Sequence, residues 1–207
     1  MAHNQSAFLK RSKASVIIFG DQRSGNCLKV KYTADKLRLS YDWHAIYMAS
    51  GESRTPEYSA RNPQGQVPCL ELDNGTVLAQ SNAIIRYLAA GTELLANTAL
   101  AQAKVDEWLF WEQYSHEPYV AACRFEMVYQ GLSAAQREPE RVRRGELALA
   151  YLDAQLEGSN WLANDAFSIA DIALLAYSRL AREGGFDLAP LAALRDWIMR
   201  CEQQLGI

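Results

Sequence analysis

The stretch Asn62-Pro63-Gln64-Gly65-Gln66-Val67-Pro68, running on through Cys69-Leu70-Glu71-Leu72-Asp73-Asn74-Gly75-Thr76-Val77-Leu78-Ala79 to Gln80-Ser81-Asn82-Ala83-Ile84-Ile85-Arg86-Tyr87-Leu88, decides how the first half of the chain folds. Apolar runs at 67–72 and 76–80 flank Asp73-Asn74-Gly75. Asn-Gly favours the primed turns whose twist matches that of paired strands, so a hairpin is expected. Ser81 stands where a helix through Leu88 begins and is placed to cap it, with Ile84, Ile85 and Leu88 on one face. On the residues alone, Pro68 reads as a trans proline at a strand start or as a cis proline in a turn.

Upstream, residues 15–19 form a short β-branched and aromatic run, the signature of a buried strand. A polar, Gly-containing loop at 21–26 leads into helical spacing over 27–39, with Leu28, Val30, Tyr32 and Leu37 apolar. Residues 41–47 read as a second strand and 49–62 as irregular. The order β-α-β, loop, β-β-α suits a small sheet packed against helices. Downstream of residue 99 the pattern is helical throughout. Pro118 lacks an N–H and is expected to kink the first long helix. A second helix is expected over 141–156, broken by Gly158-Ser159-Asn160. Ser168-Ile169-Ala170-Asp171 reads as a capping box, with Phe167 and Ile172 as its hydrophobic staple. A last helix is expected over 188–205. The chain thus reads as an extension (1–13), an α/β domain (14–90), a linker (91–98) and an all-α domain (99–207).

The 207 residues are 49% hydrophobic and 22% charged, enough for a packed core, and the net charge of -3 argues against nonspecific binding to nucleic acid. No apolar run approaches the length of a membrane span. Lys10, Arg11 and Lys13 precede an apolar run too short for a secretory signal, so a cytoplasmic protein is expected. Cys27, Cys69, Cys123 and Cys201 form no CxxC pair, and His3, His44 and His116 have no ligand-like spacing, so neither a disulfide framework nor a metal site is expected.

Three segments, in their order and spacing, resemble the N-terminal domain of cytosolic glutathione S-transferases: Ser24-Gly25-Asn26-Cys27-Leu28-Lys29-Val30, Asn62 to Pro68, and Gln80 to Leu88. The helical half agrees. Phe167 to Ile172 is similar to a capping motif of that superfamily, and Trp111-Glu112-Gln113-Tyr114-Ser115-His116-Glu117-Pro118 to a helix of bacterial members. The resemblance covers nearly everything after residue 14 and points to theta-, phi- or nu-like proteins. It implies a thioredoxin-like N-terminal domain with a mixed four-stranded sheet, an all-α C-terminal domain, a homodimer, and glutathione as co-substrate without a metal.

The resemblance also implies site residues. The Val67–Pro68 bond would be cis, exposing the backbone of Val67 to pair with the cysteinyl backbone of glutathione. Ser81 would bind the γ-glutamyl carboxylate at a helix N-terminus, with Gln80 beside it; their plain alternatives are a cap and a solvated strand end. Ser53, Arg54 and Gln66 would serve the glycyl end, or else be loop polar groups. The sulfur would be contacted by the hydroxyl of Ser24, as in theta- and phi-like members, or by the amide of Asn26, as in nu-like ones; Asn26 could equally be a helix cap. Cys27 reads as a thiol-exchange group or, with Leu28 and Val30 around it, as a buried packing residue. An acceptor site between the domains would draw on Trp111, Tyr114 and Arg124, or those aromatics are simply core. The expected activity is attack of the glutathione thiolate on an electrophilic small molecule. The alternatives are glutathione-dependent disulfide or peroxide reduction, and a non-enzymatic member that binds glutathione or a protein.

Overall fold

The computed structural model describes residues 16–207; the extension expected at 1–13 and Ser15, read as the head of the first strand, lie outside the described residues. The chain divides into two compact units, one ending at Thr92 and the other running Glu93–Ile207.

The first unit contains β1 (Val16–Gly20), α1 (Gly25–Lys36), β2 (Tyr41–Ala45), α2 (Pro56–Arg61), β3 (Cys69–Glu71), β4 (Val77–Ala79) and α3 (Ser81–Ala89). Its sheet is mixed, in the order β2-β1-β3-β4. β1 runs parallel to β2 and antiparallel to β3, and β3 antiparallel to β4. This is the thioredoxin-like arrangement that the resemblance implies. α1 packs against α3, and Val30, Ile84, Ile85 and Leu88 are at most 1% exposed. Burying each of these side chains stabilises the unit by about 1.5–3 kcal/mol. A second cluster joins Phe19, Cys27, Ile46, Tyr58, Val67 and Cys69.

Two expectations for this unit are corrected. The segment read as irregular holds α2, whose start is a recognisable pair: Thr55 caps it, its side chain accepting from Tyr58 N at 3.3 Å, and Pro56 fills the first helical position, where a missing N–H costs nothing. The hairpin does not use a primed two-residue turn. Gly75 alone of the loop residues has positive φ (79°), and Leu72 N bonds to Thr76 O at 2.9 Å. This is a three-residue loop closed by a left-handed glycine, in which Asn74 keeps an ordinary φ and its Oδ1 accepts from Thr76 N at 2.9 Å.

The second unit is helical: α4 (Ala99–Trp111), α5 (Glu117–Val128), α6 (Pro139–Leu156), α7 (Ile169–Ser178) and α8 (Ala192–Leu205). All ten residues of α7 are buried, which makes it the central helix of the unit. The break expected at Pro118 is realised as a π-helical turn, Glu112–His116, between α4 and α5. Pro118 cannot donate to the carbonyl four residues back, and Glu117 N reaches five back to Glu112 O instead. α6 starts two residues earlier than expected because Glu138 caps it and Pro139 occupies its first turn. α8 starts later, at Ala192, leaving Pro190 outside.

The capping box forms as expected. Ser168 Oγ accepts from Ala170 N (3.2 Å), and Asp171 Oδ2 accepts from Ser168 N (3.0 Å). Asp171 Oδ1 also accepts from Leu162 N (3.1 Å) and Trp197 Nε1 (2.9 Å), tying α7 to α8. Burial pushes the Asp171 carboxyl up to about 6, while those donors work against the rise.

Candidate active site

One end of the small sheet gathers the residues of interest. β1 ends at Gly20 and runs into Ser24 and Asn26, while the register Cys69↔Ala79 sets Pro68 alongside Gln80. The β1–α1 loop is shaped by Asp21, which accepts from Arg23 N through its carboxylate (2.8 Å) and from Ser24 N through its carbonyl (3.0 Å).

The Val67–Pro68 bond is cis, as the resemblance implies. The loop before it is pinned from inside. The carbonyl of Gln66 accepts from Tyr58 Oη (2.7 Å) and Asn62 Nδ2 (2.8 Å), and Asn62 Oδ1 accepts from Gln64 N (3.2 Å). Gly65 has φ +62°, and a Cβ there would lie 2.9 Å from Arg54 Cδ and 3.0 Å from the carbonyl of Ser53, so the loop folds tightly over the Ser53–Arg54 turn only because this residue is glycine. Ser53 is buried and Arg54 exposed, the latter donating to Gln64 O at 3.5 Å. The side chain of Gln66 is exposed.

Gln80 is the N-cap position of α3, with φ 70° and ψ 110° and no side-chain hydrogen bond to the first turn. A non-glycine residue held there stores backbone strain, a feature that clusters at ligand-binding sites. Its Nε2 donates to Gln64 Oε1 at 3.2 Å. Ser81 is therefore not the cap that the sequence led one to expect. It is the first helical residue, and its hydroxyl donates across to Asn26 Oδ1 at 3.0 Å. Lys29 completes the group. Its side chain is 0% exposed, and Nζ donates to Ser81 Oγ and to Asn82 Oδ1, each at 3.4 Å. The starts of α1 and α3 are thus joined by one hydrogen-bonded set.

Of the two candidates for a sulfur contact, Ser24 is buried near the Cys27 thiol; Asn26 is half-buried and belongs to the Ser81–Lys29 set. Burial pushes the Cys27 thiol up to about 12, with the Ser24 hydrogen bond working against it, so Cys27 is a packing residue without thiolate character. Burial likewise raises the Cys69 thiol.

In the helical unit, Trp111 and Tyr114 line a shallow cavity of about 340 Å³ together with Tyr119, Arg143, Arg144 and Tyr151. Trp111 packs edge-on against Trp108 (5.4 Å between rings) and beside Tyr151 (5.1 Å), whereas Tyr114 is 82% exposed. Arg124 is not brought to this cavity. It is buried and pairs with Glu183, Nη2 to Oε2 at 2.7 Å. His116 is buried, with Nε2 3.1 Å from Ser178 Oγ, a structural placement. Among the described residues no group of three or more His, Cys, Asp or Glu is placed to hold a metal ion, and no helix is long and apolar enough to cross a membrane.

Sequence reasoning missed Lys29, Gln64, Tyr58 and Asn62. A signal for Lys29 was present. It stands three residues after Asn26, between Cys27 and Val30, on the buried side of α1.

Comparison with known proteins agrees with this fold. Residues 23–90 match the glutathione S-transferase N-terminal domain and residues 109–204 the glutathione S-transferase C-terminal domain. Glutathione S-transferase F10 of Arabidopsis thaliana is 31% identical over 149 residues, 68% of this chain and 69% of that protein. The crystal structure of a glutathione S-transferase from Pseudomonas fluorescens Pf-5 is 42% identical, with a TM-score of 0.87 over 90% of this chain and 94% of that one. A glutathione transferase homologue from Drosophila mojavensis, crystallised with bound glutathione, is 26% identical, with a TM-score of 0.83 over 92% and 88% of the two chains.

Proposed function

We propose, from the premise that this chain belongs to the glutathione S-transferase family, that it conjugates the thiolate of glutathione to an electrophilic small molecule, working as a homodimer in the cytoplasm. The observation that carries the reading is the hydrogen-bonded set Asn26–Ser81–Lys29 at the sheet end where the cis Val67–Pro68 bond lies. Each part matches a part of the tripeptide. The γ-glutamyl carboxylate sits on the first amides of α3 and on Ser81, where the helix dipole favours an anion. Gln80 contacts the same end. The cysteinyl backbone pairs with Val67 as an added strand. Ser53, Arg54 and Gln66 serve the glycyl carboxylate, and Trp111 and Tyr114 offer aromatic surface to an apolar acceptor.

The chemistry requires a thiolate. A free cysteinyl thiol has a pKa of about 8.5, so only about 3% is ionised at neutral pH. Lowering it by about two units requires roughly 2.7 kcal/mol. One or two charge-assisted hydrogen bonds, at about 1.5–3 kcal/mol each, are sufficient. Asn26 is the first choice for that donor, because it is tied to Ser81 at the start of α3, where the tripeptide would bind; Ser24 is the alternative.

The test compares Asn26→Ala with Ser24→Ala in conjugation of a chloronitroarene. Asn26→Ala is expected to lower turnover roughly ten- to hundredfold, with a smaller loss for Ser24→Ala. Full turnover by Asn26→Ala would overturn the donor assignment. A second reading, glutathione-dependent disulfide or peroxide reduction, is favoured by the same placement of Asn26, since nu-like members use an amide there. Reduction of hydroxyethyl disulfide outrunning conjugation would replace the first reading with the second.

A further inference from the structure

We infer that the acceptor taken by this chain is an aromatic electrophile with an acidic substituent, its ring against Trp111 and Tyr114 and its anion held by Arg143 and Arg144; this rests on the reading that those two aromatic residues face the acceptor. The cavity is built within the helical unit. Arg144, Leu147, Ala148 and Tyr151 recur at helical spacing along α6 and form one wall. Trp111, Tyr114 and Tyr119, at the junction of α4 and α5, form the other. The π-helical turn Glu112–His116 lies at that junction, and such turns are frequent at functional sites. A volume of about 340 Å³ is at the lower end of the range for small-molecule pockets, roughly 300–1,000 Å³, so one substituted ring fits.

Among the described residues that line it, the charged ones are Arg143 and Arg144. One carboxylate, Glu140, serves the pair. It accepts from Arg143 Nε and Nη2 at 2.7 Å each and from Arg144 Nε at 2.8 Å. Two positive charges against one negative leave the rim net positive. A guanidinium has five N–H donors. The bonds to Glu140, with one from Arg144 Nη1 to Tyr119 Oη at 2.8 Å, use fewer than half of them on either arginine, and the rest meet no acceptor among the described residues. Tyr119 accepts in its bond and so keeps its own proton to give. Its ring lies 5.4 Å from the Arg144 guanidinium, which holds that side chain at the wall. A planar carboxylate is the complement of such a fork of donors. The two arginine side chains are 58% and 52% exposed, so the attraction is moderate and is screened by salt.

The test is a pair of acceptors, a chlorodinitrobenzoate and its methyl ester. In both, the glutathione sulfur gives an electron pair to the chlorinated carbon, a C–S bond forms and chloride leaves with the C–Cl pair, so the carboxylate takes no part in the bond change. For each, kcat/KM is divided by the rate constant of the uncatalysed reaction with glutathione. At low salt the carboxylate is expected to be preferred by about tenfold, through KM, and the preference to shrink to about twofold near 1 M salt. Arg143→Gln/Arg144→Gln should bring it within about twofold of unity, and Glu140→Gln, which releases donors, should raise it by about threefold. A wild-type preference at or below unity, one that survives the double substitution, or one that drops in Glu140→Gln overturns the inference; the acceptor surface then stands if Tyr114→Ala lowers kcat/KM for both compounds. Undiminished turnover of both by Tyr114→Ala overturns the reading of that surface and the inference with it. Should neither compound be conjugated, the proposed function fails, and quenching of tryptophan fluorescence by dinitrobenzoate lacking the chlorine decides the rest. Binding weakened about tenfold by the double substitution supports the anion site, and equal binding overturns it.

Discussion

At the start of α7, Ser168 and Asp171 exchange hydrogen bonds with the backbone, and Asp171 takes further donors from Leu162 and Trp197. At the start of α3, the cap position holds Gln80 with a positive φ and no bond to the first turn, and the serine beside it turns its hydroxyl to Asn26. Both starts carry a serine, yet one terminus is closed by its own side chains and the other turns its serine to the neighbouring helix α1. A helix N-terminus left without a side-chain cap keeps its amides and its dipole for an anion. The contrast separates a terminus closed by its own side chains from one that the proposed function gives to a ligand, and substitutions at each should move different observables.

The largest effect is expected where the closed terminus is dismantled. Asp171→Ala strands the N–H groups of Leu162, Ser168 and Trp197 in the interior. Unfolding in urea should show a loss of roughly 3–5 kcal/mol. A loss below 1 kcal/mol would mean that water or repacking satisfies those donors and that the closed terminus is not a keystone.

The same carboxyl gives a pH signature. Its folded pKa, about 6, lies above the ordinary value of 3.8. The folded state therefore holds this proton more tightly, and the group's contribution favours the fold at low pH and is lost as pH rises through about 6. Between those two values Asp171→Asn should make the slope of unfolding free energy against pH more positive than in wild type, by up to about 1.4 kcal/mol per pH unit. Equal slopes would place the folded carboxyl at its ordinary value.

Paired serine substitutions sharpen the comparison directly. Ser168→Ala should cost about 1 kcal/mol of stability and leave glutathione binding unchanged. Ser81→Ala removes no cap, and its main effect should be a rise of about tenfold in the glutathione Kd. Calorimetric binding and thermal unfolding of both variants check this. If both lose stability equally and neither loses binding, the two termini are alike.

What the sequence revealed follows the same division. The capping box was legible because its partners lie within four consecutive residues, and local rules suffice for it. The hairpin, the mixed sheet and the cis Pro68 were legible through the order of three motifs. The turn at Asp73–Gly75 was misread because Asn-Gly is permissive of more than one loop, and α2 was passed over although Thr55-Pro56 is a helix start. Lys29 was not legible as part of the site. Its partners Ser81 and Asn82 are 52 and 53 residues away, and a lysine in a helix reads as exposed until the packing of α1 on α3 is known. Arg124 misled for the complementary reason, since its carboxylate partner Glu183 lies 59 residues downstream.

The smallest effect is expected at Gln80, and its sign is the informative part. Glycine adopts φ 70° without the steric penalty of a Cβ, so Gln80→Gly should relieve strain. The greater freedom of glycine in the unfolded chain offsets part of the gain, leaving a net stabilisation of up to about 1 kcal/mol. The side chain that reaches Gln64 Oε1 is lost at the same time, and with it one tie between the loop before Pro68 and the start of α3. Glutathione affinity should then fall by about threefold while the unfolding midpoint rises. Opposite movement of stability and affinity marks a residue kept in a costly conformation for its ligand. If both fall together, Gln80 supports the fold, and the start of α3 would belong with that of α7.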